Sequence, residues 1–177
     1  MTKARTLADF NTTAIPASVL TGALPAINGS ALTNLPAGAT NTPAFRAYRS
    51  TNQPDCPSGQ LTKVLLDATD YDTNSAFSNN VFTVPTGEAG KYFLYGSIQT
   101  TSSDDFDDYQ VKITKNGSTG LARGRIRHHY TDTSQVTTVA ELAVGDTIEL
   151  SFYNGHGSAK QLFGDSQGTF LGGFKLA

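Results

Sequence analysis

The sequence predicts an all-β protein, a two-sheet jelly-roll sandwich of about nine or ten strands that follows an extended N-terminal arm. Three observations carry this. From Ala44 onward, short runs alternate apolar and polar residues with a period of two, and none carries a convincing helical period. Between the runs lie Gly, Asn, Asp and Pro clusters that suit tight turns. Before Ala44 the pattern is absent: residues 1–43 hold three charged side chains, Lys3, Arg5 and Asp9, and four prolines.

The arm comes first in the chain. Pro16, Pro25, Pro36 and Pro43 each lack an amide donor and restrict the preceding residue, which rules out a long helix. Leu20-Thr21-Gly22-Ala23-Leu24-Pro25-Ala26 is echoed by Leu32-Thr33-Asn34-Leu35-Pro36-Ala37. Ile15, Val19, Leu20, Leu24, Ile27, Leu32 and Leu35 are too few for an independent core. They are too many for a purely solvated linker. Residues 1–43 are therefore read as an arm that orders against another surface, with a disordered linker as the alternative.

Residues 44–177 form the second region. Strands are expected at about 44–49, 61–66, 80–84, 91–99, 109–115, 121–130, 135–143, 147–154 and 167–176. Lys115-Asn116-Gly117 is the clearest hairpin turn, since Asn-Gly tolerates the two positive-φ positions of a type I′ turn. Leu142–Leu150 reads as a Gly145-Asp146 turn feeding a strand. In that strand Ile148 and Leu150 alternate with Thr147 and Glu149.

Composition narrows the function. A net charge of −2 and a pI near 5.8 give no reason to expect nucleic acid as a partner. Cys56 is the one cysteine, so no intrachain disulfide forms, and folding in a reducing cytoplasm is the simplest reading. No stretch approaches the roughly 20 apolar residues of a membrane helix. The segment after Met1–Arg5 is broken by Asp9, Asn11, Thr12 and Thr13, unlike a signal peptide. The sequence holds no Gly-x-Ser-x-Gly elbow, phosphate-binding loop or His-Glu-x-x-His helix, so no enzyme activity, catalytic residue or cofactor is expected.

Two charged features remain. Arg123, Arg125 and Arg127 share one face if their segment is a strand, with His129 continuing the row. Asp104-Asp105-Phe106-Asp107-Asp108 is the densest acidic cluster, but it lacks the EF-hand spacing, and no metal site is assigned to it. The arginine row could form an inter-subunit ladder with Asp105 and Asp107 or bind a receptor or lipopolysaccharide. As a solvated edge, its charges would discourage unwanted strand pairing.

Four segments occur in the order of a known family. Phe82-Thr83-Val84-Pro85 with Gly90–Tyr95, Val111–Gly117, Leu142–Leu150 and Thr169–Gly172 resemble the tumour-necrosis-factor-like jelly roll. The likeness is to the branch typified by the globular heads of complement and short-chain collagens. Ala89 stands where that family usually has Pro, and Leu94 where it usually has Phe. The family's frequent cysteines are absent. These departures argue against a secreted animal protein and leave the fold intact, since Leu94 can fill a core slot.

That family trimerises through flat, aromatic-rich sheet faces, so the resemblance implies a homotrimer. A half-buried strand places Tyr92 and Leu94 on one face and Phe93 and Tyr95 on the other. Apolar groups on both faces suit a strand with the core on one side and a neighbouring subunit on the other. The expected interface residues are Tyr92, Leu94, Tyr95, Phe170 and Phe174. Ordinary sandwich packing with a Tyr left at the surface is the alternative.

The arm's Leu-Thr-Gly-Ala-Leu-Pro repeat resembles the segments that precede globular tips in tailed-phage fibres. This resemblance implies a bacteriophage virion structural protein, assembled in the host cytoplasm and located in the virion. The arm would anchor it to other virion proteins, either the major capsid protein or a tail or fibre base. A trimeric capsid decoration or cement protein is favoured, because the arm is short, starts at Met1 and carries two repeat copies. A tail-fibre or head-fibre tip that binds a host surface glycan is the alternative. A lectin-like module using Arg123, Arg125, Arg127 or the loops at Asp104–Asp108 and Asn154–Ser158 is a reading of a different class.

Overall fold

The computed structural model describes residues 41–101, 108–127 and 133–176. The expected anchoring residues Ile15, Val19, Leu20, Leu24, Ile27, Leu32 and Leu35 lie outside the described residues. So do Asp105, Asp107, His129 and the Arg127 side chain.

The described chain is all β, in thirteen strands. These are β1 (Ala44–Tyr48), β2 (Gln53–Cys56), β3 (Leu61–Lys63), β4 (Ala68–Asp72), β5 (Phe77–Ser78) and β6 (Val81–Thr83). They continue with β7 (Gly90–Gln99), β8 (Asp108–Lys115), β9 (Thr119–Arg127), β10 (Thr133–Leu142), β11 (Thr147–Asn154), β12 (Lys160–Leu162) and β13 (Phe170–Lys175). All nine expected strands are present. The additional four are short: β2 and β12 pair with each other as a separate ribbon, while β4 and β5 form sheet edges.

One sheet runs β10-β7-β13-β1-β4, and the other runs β5-β6-β11-β8-β9, with β3 also paired to β11. Every strand pair is antiparallel. Period-two alternation then decides what lies between the sheets. Phe45, Ala47, Tyr92, Leu94, Ile98 and Leu171 come from the first sheet. Phe82, Val111, Ile113, Ile148, Leu150 and Phe152 come from the second, and all twelve are buried. Phe82 stacks on Phe45 across the sandwich with ring centroids 4.2 Å apart, and the Tyr92 ring lies tilted 5.8 Å from Phe82.

The two turns that identified the fold meet in space. Asn116 and Gly117 both have positive φ, 53° and 70°, as a type I′ turn requires. In the other turn Gly145 carries the positive φ, 83°, which frees Asp146 to use its side chain. The Asp146 carboxylate accepts hydrogen bonds from the Asn116 amide (2.8 Å), the Ala143 backbone N–H (2.9 Å) and the Lys115 ammonium (3.1 Å). The Asn116 side-chain oxygen in turn accepts the Thr147 N–H at 2.8 Å. Val84 joins the latch, since its N–H donates to the Asp146 carbonyl and its own carbonyl accepts from Gly145.

The Asn116 hydrogen bond, with those from Ala143 and Lys115, holds the Asp146 pKa below the ordinary carboxylate value. A depressed folded pKa gives stability that is complete above the unfolded value and lost as pH falls through the folded one. Asp146→Ala is therefore expected to lower unfolding free energy by about 2–3 kcal/mol at neutral pH. The deficit should shrink as pH falls below the ordinary carboxylate range and the wild-type carboxylate takes up its proton. Urea unfolding of both proteins over a series of falling pH reads this directly, and a deficit that stays constant would refute the latch.

Candidate functional site

The outer face of the β10-β7-β13-β1-β4 sheet is the most distinctive surface among the described residues. Strand register fixes its layout in three rows. One row runs Val139–Phe93–Phe174–Ala44 and the next Thr137–Tyr95–Gly172–Arg46–Tyr71. The third runs Gln135–Ser97–Phe170–Tyr48. The rings touch along and across these rows. Phe93 lies 5.5 Å from Phe174 and 6.0 Å from Tyr95, and Tyr95 lies 6.1 Å from Phe170. Tyr71 and Tyr95 share a hydrogen bond of 3.1 Å between their hydroxyls.

Gly172 makes this layout possible. A Cβ at that position would sit 2.4 Å from the Tyr95 ring, so only glycine lets the ring lie flat across β13 toward Tyr71. The Arg46 guanidinium is 4.4 Å from the Phe170 ring centroid and is also paired with Asp70. Burial, reinforced by the Tyr71 hydrogen bond, raises the Tyr95 pKa, so this hydroxyl stays protonated. Phe93, Tyr95, Phe170 and Phe174 are partly exposed, while Val139 and Tyr71 at the margins are 54% and 43% exposed.

Of the expected interface residues, Tyr95, Phe170 and Phe174 lie on this outer face. Tyr92 and Leu94 do not, which corrects the sequence expectation. Both are fully buried between the sheets, where Tyr92 packs on Phe82 and donates a 2.7 Å hydrogen bond to the Glu88 carbonyl. Phe93, Val139 and Tyr71 complete the face. Phe93 was legible, because alternation puts it on the same side as Tyr95, whereas Val139 and Tyr71 required the sheet order.

The outer face of the other sheet is polar and charged. Lys63 pairs with Glu149 at 3.2 Å, and Arg125 forks onto both oxygens of Asp108. Arg123 and Arg125 are exposed on the same side of β9, as the i, i+2 spacing predicts. The carboxylate that holds Arg125 belongs to Asp108 of the same chain, at the end of the acidic cluster, rather than to another subunit.

Little else is arranged for chemistry. Among the described residues, no three His, Cys, Asp or Glu side chains gather to hold a metal ion. His156 Nδ1 accepts the Ser158 amide N–H at 3.1 Å and lies 3.0 Å from the Ser158 hydroxyl. Asn154, fully buried, ties this loop to the Cys56 and Ser158 carbonyls. The pattern is that of a locally capped loop. Burial, with Asp55 alongside, pushes the Cys56 thiol up to about 11, far from a reactive thiolate.

No protein-family model and no curated protein matches the sequence. Solved structures do match. Murine APRIL superposes with a TM-score of 0.56 at 18% identity, covering 75% of this chain and 98% of its own. The globular domain of zebrafish complement 1qA gives 0.54 at 17% identity, covering 77% and 98%. Eiger TNF from S. frugiperda gives 0.54 at 14% identity, covering 76% and 92%. The fold is thus a tumour-necrosis-factor-like, complement-head-like jelly roll.

Proposed function

We propose that the chain is a homotrimeric virion structural protein, a capsid decoration or cement protein attached to the particle through residues 1–43. The observation that carries the trimer is the contrast between the two outer faces of the sandwich. One is a continuous aromatic surface centred on Phe93, Tyr95, Phe170 and Phe174, and the other is salted with Lys, Arg, Asp and Glu. A contiguous apolar patch is costly to leave in water and is the usual mark of a protein interface. The fold shared with the complement and tumour-necrosis-factor domains supports threefold packing of that sheet.

Attachment to a particle rests on the charge-poor, Pro-interrupted arm and its resemblance to phage-fibre segments. Three arms on one trimer convert weak apolar contacts into high avidity. Deleting residues 1–40 leaves every described strand intact, because β1 begins at Ala44. The truncated chain should remain a trimer by light scattering and lose sedimentation with purified phage heads, which the full chain retains. Saturation of heads by the truncated chain would overturn arm anchoring. Gold label on Ala177 found at tail tips instead would assign the fibre-tip alternative.

A further inference from the structure

On the charged outer face, β8 and β9 set two cations directly opposite each other: Lys112 and Arg123 are register partners. Like charges so placed repel. The neighbouring cations have carboxylate partners, Lys63 in Glu149 and Arg125 in Asp108. Lys112 and Arg123 have none among the described residues, and the nearest aromatic contact is the Tyr153 ring, 5.9 Å from the Lys112 ammonium.

The backbone beside them is irregular. The register shifts between Ile113 and Thr114, whose partners are Ala122 and Gly120, so Leu121 is an inserted residue outside the ladder. Such a bulge leaves a residue unpaired and re-aims its neighbours. Nothing lies within 4 Å of the position a Cβ would take on Gly120, so a ligand can approach the chain there. Lys112, Gly120, Leu121, Ala122 and Arg123 line a shallow cleft of about 250 Å³.

We infer that this cleft is an oxyanion-binding site, in which a sulfate, phosphate or carboxylate group supplies the negative charge that Lys112 and Arg123 lack. A guanidinium offers a fork of donors matched to two oxygens, and an ammonium beside it adds a point charge. The site lies on the sheet opposite the aromatic face, so it stays open whether or not that face is covered. The group could arrive on an acidic polysaccharide or as a free ion.

The test is an amide NMR titration of the full chain with sodium sulfate and with a sulfated trisaccharide, against sodium chloride at matched ionic strength. Saturable shifts are expected at Gly120–Arg123, and Lys112→Gln or Arg123→Gln should weaken binding at least roughly tenfold. Arg125→Gln should change it by less than about twofold, since that guanidinium is held by Asp108. A trisaccharide bound at least about tenfold more tightly than sulfate assigns the polysaccharide source, and equal affinity assigns the free ion; either upholds the site. Shifts matching those in chloride, or unaltered in both Gln variants, would overturn it. The thermal midpoints of the Lys112 and Arg123 variants should hold level or rise, and a fall would overturn the reading of an unneutralised pair.

Discussion

Phe82→Ala is expected to remove about 3–5 kcal/mol of unfolding free energy. Phe82 is fully buried and packs against two rings contributed by the opposite sheet, Phe45 at 4.2 Å and Tyr92 at 5.8 Å. Its strand is only three residues long and pairs with β11 at two positions, Phe82 with Ile148 and Thr83 with Thr147. So short a strand owes its place to the side chain it buries more than to its ladder. Alanine would leave a cavity that two aromatic rings cannot close without leaving their own rotamers. Phe82→Leu keeps most of the volume and should cost about 1–1.5 kcal/mol. Urea unfolding at one fixed protein concentration measures both, because association would otherwise shift the midpoint. An alanine deficit under about 1 kcal/mol would mean the stack is not what holds the sheets together.

Much of this sandwich could be read from alternation and turn chemistry, and the exceptions share a cause. Where a strand buries one side and leaves the other wet, as β10 does along most of its length, a period of two appears in the sequence. β2 contains Pro54 and the positive-φ residue Asp55, and β4 reads Ala-Thr-Asp-Tyr-Asp at a sheet edge. Neither has an apolar row to betray it. The Gly90–Gln99 strand fails differently. Alternation separates Tyr92 and Leu94 from Phe93 and Tyr95, but both sets are large and apolar, so nothing local says which set faces inward. The answer lies in β13, where Leu171 is buried in the core and Gly172 receives the Tyr95 ring on the opposite side. Register across the β8–β9 hairpin is hidden for a third reason. Counting outward from Asn116-Gly117 gives the wrong partners once Leu121 is inserted as a bulge. That is why the Arg125–Asp108 fork and the Lys112–Arg123 opposition emerge only from the structure.

If the proposed trimer packs through its aromatic face, Phe93→Asp is expected to give a folded monomer. Phe93 stands on the outer aromatic face, in contact with Phe174 and Tyr95 and opposite Val139, and it is only partly covered by its own chain. In a lone subunit a carboxylate there keeps its water, so the sandwich should survive with its β-sheet circular dichroism unchanged. In the proposed trimer the same face would be closed, and desolvating an unpaired carboxylate costs on the order of several kcal/mol per copy. Three copies would share the assembly, so the penalty is counted three times. Light scattering should therefore report one chain where the wild type reports three. The adjacent position supplies the contrast. Leu94→Asp buries its charge between the sheets, where no state of assembly can hydrate it, and should abolish folding altogether. A folded Phe93→Asp trimer would move the interface to another surface, and a folded Leu94→Asp monomer would reverse the assignment of the two faces. The pair thus sets a residue buried inside the subunit, Leu94, against its neighbour at the proposed contact between subunits, Phe93.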